Sequence, residues 1–266
     1  MTTRRCPGGL VTADHGDILQ FNKNGGVDGY WETKSLLEAF GRDYVVLVDT
    51  FPTTHGTGAA TSGYSTLGWM TTGTLTLTGV LDGAIGHPGI CRLTSAVGAS
   101  SGCFHLPTNA GVTGGPFMLD DVKAFQWIVR TNTLPAGSIV LGLGDNGNSA
   151  TLGSNSLYFK TDSTIGTNVF HAHARSGAAS TEDDTSAYTP AAGFWMILTM
   201  VQDASGNFDW NINNGATSGQ IPTADVPFGV AVTPSIFIND TDGANSFQLD
   251  VDEFTIVLQP DDDRFT

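Results

Sequence analysis

From Tyr44 onward the apolar residues recur at every second position, and that rhythm decides what the chain can build. Alternation of this kind buries one face of a strand and leaves the other polar, whereas a helix needs spacings of three and four. Thr74-Leu75-Thr76-Leu77-Thr78 puts leucines on one face and threonines on the other. Phe125, Trp127 and Val129 share a face. So do Phe170, Ala172 and Ala174, with His171, His173 and Arg175 opposite them. Phe208, Trp210 and Ile212 alternate with Asn207, Asp209 and Asn211. Residues 194–201 are apolar on both faces, which predicts a central strand. Trp127, Trp195 and Trp210 are all expected to pack in the core.

Turn signals separate these runs: Gly144-Asp145-Asn146-Gly147, Asp203-Ala204-Ser205-Gly206-Asn207, Asn213-Asn214-Gly215 and Asp240-Thr241-Asp242-Gly243. Gly142-Leu143-Gly144 also reads as a turn, and Glu182-Asp183-Asp184 as a solvated loop. Many short strands at this spacing mean an antiparallel sandwich or barrel. Near the end, Leu249 and Val251 share one parity while Phe254, Ile256 and Leu258 share the other. A β-bulge at Asp252-Glu253 reconciles the two phases.

Residues 1–43 follow a different pattern. Gly16-Asp17-Ile18-Leu19-Gln20-Phe21-Asn22 reads as a short strand, followed by a Gly-rich turn at residues 24–26. Ser35 and Glu38 then form a capping-box spacing ahead of Leu36, Leu37 and Phe40, with Gly41 as a stop, which predicts one short helix. A helix this short must dock on something. The expected organisation is an anchoring arm over 1–43, a sandwich over 44–260 and an acidic tail over 261–266. In the arm, Ile18, Phe21, Tyr30, Trp31, Leu36, Leu37 and Phe40 are the candidate assembly contacts.

Charge excludes whole classes of partner. Eleven Lys and Arg against 26 Asp and Glu give a net charge of −15, and no basic cluster exceeds Arg4-Arg5. Phosphate and anionic-membrane binding both need clustered cations, so neither nucleic acid nor membrane is an expected partner. No apolar run approaches the ~18 residues of a spanning helix. The first seven residues lack the apolar stretch of a secretory signal, so synthesis and folding in a cytoplasm are expected. Cys6, Cys91 and Cys103 make no disulfide framework. Cys91 and Cys103 either face each other across a hairpin or stay reduced in the core. No metal site and no cofactor are expected.

Two stretches carry a family resemblance. Gly193-Phe194-Trp195-Met196-Ile197-Leu198-Thr199-Met200-Val201-Gln202-Asp203, followed by Gly206-Asn207-Phe208-Asp209-Trp210-Asn211-Ile212-Asn213-Asn214-Gly215, resembles the paired central strands of concanavalin A-like lectin/glucanase sandwiches. Leu249-Asp250-Val251-Asp252-Glu253-Phe254-Thr255-Ile256 resembles their closing strand. The match spans about residues 66–259 and implies an all-β jelly roll. Residues 86–94, Gly-His-Pro-Gly-Ile-Cys-Arg-Leu-Thr, are similar to a segment of concanavalin-like proteins of tailed bacteriophages. Residues 16–22, with Trp31 beyond them, are similar to attachment units of phage fibre and head-decoration proteins. The resemblance implies a virion component with an N-terminal docking piece, other virion proteins as partners and a homo-oligomer, a trimer being favoured. The alternative is a carbohydrate-binding module for host adhesion, whose ligand would be a host-surface glycan.

Three groups of side chains were candidates for chemistry. Laminarinase-like relatives carry two Glu flanking an Asp on one strand. Here Asp250 and Asp252 share a parity, with Cα atoms about 6.5–7 Å apart along a strand. Retaining hydrolysis needs carboxyl groups about 5–5.5 Å apart, and the third acidic position falls at Phe254 or Thr255, which transfer no proton. Glu253 points to the other face unless the bulge redirects it. A structural acidic strand is therefore expected and no enzyme. His171, His173 and Arg175 form a polar stripe able to contact a sugar, although the same spacing describes the solvent face of an edge strand. The oxygens of Asp240, Asp242 and Asn245 suit Ca²⁺, but an Asp-Gly hairpin turn explains them equally.

Overall fold

The computed structural model describes residues 17–22, 30–35, 45–51, 67–80, 89–98, 100–106, 114–132, 137–146, 152–161, 169–177, 179–241 and 246–259. The chain divides into two compact units, the larger being Val46–Leu258 and the smaller drawn from Met1–Val45 and Gln259–Thr266.

The smaller unit contains an antiparallel hairpin, β1 (Asp17–Asn22) with β2 (Tyr30–Ser35). Phe21 pairs with Trp31 and Asn22 with Tyr30. Ile18, Phe21, Tyr30 and Trp31 thus sit on one ladder. Ser35, the expected helix cap, closes β2. The helix itself, with Leu36, Leu37 and Phe40, lies outside the described residues, as does the 261–266 tail.

Among its described residues the larger unit is all β apart from two 3-10 turns at Leu119–Asp121 and Thr223–Asp225. Its strands are β3 (Val45–Asp49), β4 (Met70–Gly73), β5 (Thr76–Val80), β6 (Ile90–Thr94), β7 (Ser100–His105), β8 (Phe117–Met118), β9 (Val122–Thr131), β10 (Gly137–Gly144), β11 (Asn155–Thr161), β12 (Phe170–Ser176), β13 (Ala179–Tyr188), β14 (Trp195–Gln202), β15 (Phe208–Ile212), β16 (Thr217–Ile221), β17 (Ala231–Asp240) and β18 (Gln248–Leu258). They form two antiparallel sheets. One runs β13-β12-β11-β10-β17-β7-β4, with β8 on β17. The other runs β16-β15-β14-β9-β18-β6-β5, with β3 on β18. Here they are called the β17 sheet and the β18 sheet.

The alternation places the core between the two sheets. Phe125, Trp127, Val129, Phe170, Ala172, Ala174, Phe208, Trp210, Ile212, Leu75 and Leu77 all lie in one buried cluster. Its centre is aromatic: Trp69 stacks on Phe104 at 4.8 Å, and Trp127 meets Phe254 at 4.5 Å. Asp49 holds one end, accepting from Trp69 Nε1 at 2.9 Å and from the Phe51 amide. β14 is an interior strand, as its two-sided apolarity requires. The bulge also appears where the parity change demanded it. The β18–β9 register slips between Val251 and Glu253, leaving Asp252 as the extra residue.

Three expectations need correction. Gly142-Leu143-Gly144 does not turn; it runs through β10. Glu182, Asp183 and Asp184 are not a loop but part of β13, a strand whose polar sequence hides its period. Trp195 is not core: Arg130 lies over its ring at 4.6 Å on the face opposite Met196 and Leu198. Cys91 and Cys103 match the reading as reduced core thiols: β6 and β7 belong to different sheets, so no hairpin joins them. Both thiols are free and buried. Burial pushes Cys103 up to about 12 against a hydrogen bond with Thr72, and it raises Cys91 further still. A thiol so hard to ionise is chemically inert. Among the described residues, no helix is long and apolar enough to cross a membrane.

Candidate functional site

The two sheets differ in what they carry on the face turned away from the core. On the β17 sheet that face holds a second small buried cluster, Cys103, Val140, Leu152, Tyr158 and Phe237. Polar rings and hydroxyls surround it. The register aligns one row across five strands: His105, Ser235, Gly142, Tyr158 and His173. Tyr158 and His173 stack, with ring centroids 5.1 Å apart and planes 2° from parallel. Gly142 leaves the middle of the row without a side chain. The strands bearing Tyr158 and Ser235 are two spacings apart, about 9–10 Å. A Cβ built on Gly142 would stand 2.5 Å from the Tyr158 Cα, so the glycine lets β11 close down on β10. The next row, Arg175, Ser156, Gly144 and Thr233, has a second glycine on the same strand.

His105 occupies the far end of the first row. Its Nδ1 lies 2.7 Å from the Leu106 carbonyl. A carbonyl only accepts, so Nδ1 carries a proton. Nε2 is buried without a hydrogen-bond partner, and the residue is only 6% exposed. A buried polar atom left unpaired is costly.

The sequence-predicted stripe falls on this face. His171, His173 and Arg175 are brought together on β12, but they are not an exposed edge. β12 is second from the edge, between β11 and β13, and both histidines are buried. Only Arg175 is partly open, its Nε donating to the Gly177 carbonyl at 3.2 Å. His105, Tyr158 and Ser235 were missed because each comes from a different strand, so only strand order unites them. The one available signal was the Gly-x-Gly spacing, which at period two puts both glycines on one face.

The acidic strand lies in the other sheet. On its outer face a ladder crosses five strands: Trp195, Arg130, Asp250, Arg92 and Thr78. Asp250 is fully buried between two guanidinium groups. Arg92 Nε and Nη2 donate to Oδ1 and Oδ2 at 2.6 and 2.9 Å, and Arg130 Nη2 donates to Oδ2 at 2.7 Å. Burial alone would raise its carboxyl, but the bonds from Arg92 and Arg130 outweigh that and hold it below the ordinary aspartate value. Such a carboxylate stays ionised with its lone pairs occupied. The bulge does redirect Glu253: it pairs with Ile128, on the same face as Arg130 and Asp250. Burial raises its carboxyl, Thr255 Oγ1 donating at 2.8 Å opposes the rise, and the Asp252 charge adds to it. The remaining acid motif is also engaged. Asp240 accepts from Ser95 Oγ at 2.5 Å and from the Phe247 amide at 3.2 Å, tying the end of β17 to the end of β6. Among the described residues, no group of three His, Cys, Asp or Glu side chains is placed to hold a metal ion.

Known structures share this architecture. The Emp47p carbohydrate recognition domain superposes with a TM-score of 0.52 at 13% identity, covering 82% of this chain and 98% of its own. A structure from work on endo-acting O-glycanases of the human gut microbiota that initiate mucin breakdown gives 0.53 at 9% identity, covering 81% and 99%. An uncharacterized protein from Mycobacterium paratuberculosis gives 0.51 at 14%, covering 79% and 99%. No protein-family model matches the chain, and no curated protein does. The fold is the concanavalin A-like lectin/glucanase sandwich. At these identities the likeness is one of fold alone.

Proposed function

We propose that the protein is a non-catalytic, lectin-like display protein of a phage particle, whose sandwich recognises a neutral glycan and whose N-terminal hairpin attaches it to other virion proteins. One observation carries the binding part: the parallel Tyr158–His173 pair on the face of the β17 sheet turned away from the core. Ring faces take up the apolar face of a sugar, while hydroxyls and histidine nitrogens pair with its hydroxyl groups. Arg175 stands at the partly open end of the same strand and would contact a longer chain. The Emp47p domain's being a carbohydrate recognition domain is in keeping with this reading.

The non-catalytic part rests on Asp250. General acid or nucleophilic work needs a carboxyl able to change partner, and two arginines hold this one. The display part rests on the sequence likeness of the arm to phage attachment units and on the separation of the hairpin from the sandwich as its own unit. As in many fibre and decoration proteins, a symmetric oligomer, and a trimer in particular, would multiply weak glycan contacts.

The test is a printed array of mannose-, glucose- and galactose-terminated oligosaccharides, assayed for bound protein and for released reducing sugar. Binding that Tyr158→Ala lowers at least tenfold, with no sugar released, is the expected result. Sugar release abolished by Asp250→Asn or Asp252→Asn would establish the enzyme instead.

A further inference from the structure

The turn between β15 and β16 carries two consecutive asparagines whose side chains differ in one respect. Asn213 and Asn214 both adopt left-handed backbone, with φ of +52° and +56°, and Gly215 follows at +93°. Asparagine tolerates that conformation better than most residues that bear a Cβ. The Asn213 side chain is held at both ends. Its Oδ1 accepts from the Ile197 amide at 3.0 Å, and its Nδ2 donates to Tyr188 Oη at 2.8 Å. The turn is closed by the Asn213 amide on the Ile197 carbonyl at 2.8 Å and by the Ala216 amide on the Ile212 carbonyl at 3.1 Å.

Asn214 has no such ties. It is exposed, and its side chain bonds to no group among the described residues. The Gly215 amide likewise bonds to none of them. A Cβ built on Gly215 would meet nothing within 4 Å. A side-chain carbonyl that nothing holds is therefore next in sequence to an amide nitrogen that nothing holds. The glycine adds no side chain to hinder their approach. Groups joined this closely react without the entropic cost of a separate encounter. The sequence has three Asn-Gly steps, at 24–25, 146–147 and 214–215, and only the last lies wholly within the described residues.

We propose that Asn214 is a built-in site of spontaneous deamidation, through which the β15–β16 hairpin ages in the folded protein. The Gly215 nitrogen bonds to Asn214 Cγ. The side-chain nitrogen leaves as ammonia, taking the Gly215 amide proton, and a five-membered imide joins the two residues. Water then opens the imide. Opening at Cγ gives aspartate. Opening at the main-chain carbonyl gives isoaspartate, in which the backbone runs through the side chain and is one atom longer. β16 is where that atom is felt, because it ends the β18 sheet and follows β15 in the strand order. Their register runs from Ile212 with Thr217, on either side of the turn, to Phe208 with Ile221. An extra backbone atom ahead of Thr217 works against this register, whereas aspartate leaves the backbone as it was. The product accumulates in a protein that is not renewed, as a particle protein is not, but the chemistry does not rest on that role.

The experiment incubates the full chain in mildly alkaline buffer, folded and in urea. Residue 214 is followed by peptide mass spectrometry with fragmentation that separates aspartate from isoaspartate. The folded protein should convert within about tenfold of the rate of the unfolded chain, since no global opening is needed. A folded protein that keeps this amide while the urea sample loses it would overturn the proposal. Isoaspartyl protein, separated by ion exchange, should exchange its amides over Thr217–Ile221 at least about tenfold faster than the starting material. Asn214→Asp, which adds the same charge without the extra atom, should exchange them as slowly as the starting material. Equal exchange in all three proteins would overturn the ageing of the hairpin. Fast exchange in Asn214→Asp would overturn it as an effect of the longer backbone.

Discussion

At the scale of single residues, two carboxylates on one face of the β18 sheet respond to pH in opposite senses. Asp250 is held below the ordinary aspartate value by its arginines, so its contribution is present above the unfolded-state value near 3.8 and is lost as pH falls through the lower folded value. Asp250→Asn should cost about 3–5 kcal/mol at neutral pH, the range for breaking a buried pair from one side. The variant should also lose the steepest part of its acid denaturation, seen as urea midpoints that converge with those of the native protein below about pH 3. Glu253 has the reverse sign. Its folded value is raised above 4.5, so its contribution is complete in acid and fades as pH climbs through the folded value. Glu253→Gln should therefore raise the melting temperature by a few degrees at pH 7–8 and leave it unchanged at pH 4. A variant less stable at every pH would show that the Thr255 bond matters more than the charge.

At the scale of elements, the bulge keeps the closing strand in register with the core. Leu249 and Val251 enter the core before Asp252, and Phe254, Ile256 and Leu258 after it. Deleting Asp252 puts all five side chains in strict alternation on the core face of a regular ladder, whereas deleting Thr255, beyond the bulge, turns Ile256 and Leu258 outward, because a one-residue slip moves the apolar set that follows it. The Thr255 deletion should abolish cooperative unfolding, whereas the Asp252 deletion and Asp252→Ala should each leave a folded protein. Retention of a sharp thermal transition by the Thr255 deletion would show that β18 can re-register. This bulge was legible in the sequence because apolar parity records which side of a sheet each residue faces. The Asp203 turn was legible for a similar local reason: its carboxylate accepts from the Ser205 and Asn207 amides within a five-residue stretch. β13 was hidden, since residues 182–186 offer no apolar residue to alternate. The row from His105 to His173 was hidden for a deeper reason. His105 and His173 are 68 positions apart, and only the order β7-β17-β10-β11-β12 sets them in one row. Gly142 and Gly144 read as a turn because glycine marks both a reversal of the chain and a close approach by another backbone.

At the scale of the whole molecule, the charge is unevenly shared, and this bears on how copies meet other proteins. Residues 1–43 hold five Lys and Arg against six Asp and Glu, a net of −1, so residues 44–266 carry the remaining −14 of the total −15. Surfaces of like sign repel over about a Debye length, so an acidic sandwich is poorly suited to close packing against itself. The nearly neutral segment, which contains the hairpin pairing Phe21 with Trp31, can approach another protein without that penalty. Attachment through residues 1–43 should then be apolar in character. Raising salt from about 50 to 500 mM, which shortens the Debye length roughly threefold, should leave particle association intact or slightly strengthened. A protein lacking residues 1–43 should melt within a few degrees of the full chain, because the larger unit begins at Val46 and the core lies between its own sheets. It should nevertheless be absent from purified particles. Association that salt dissolves, or a truncated protein that still incorporates, would move the docking surface from the hairpin to the acidic sandwich.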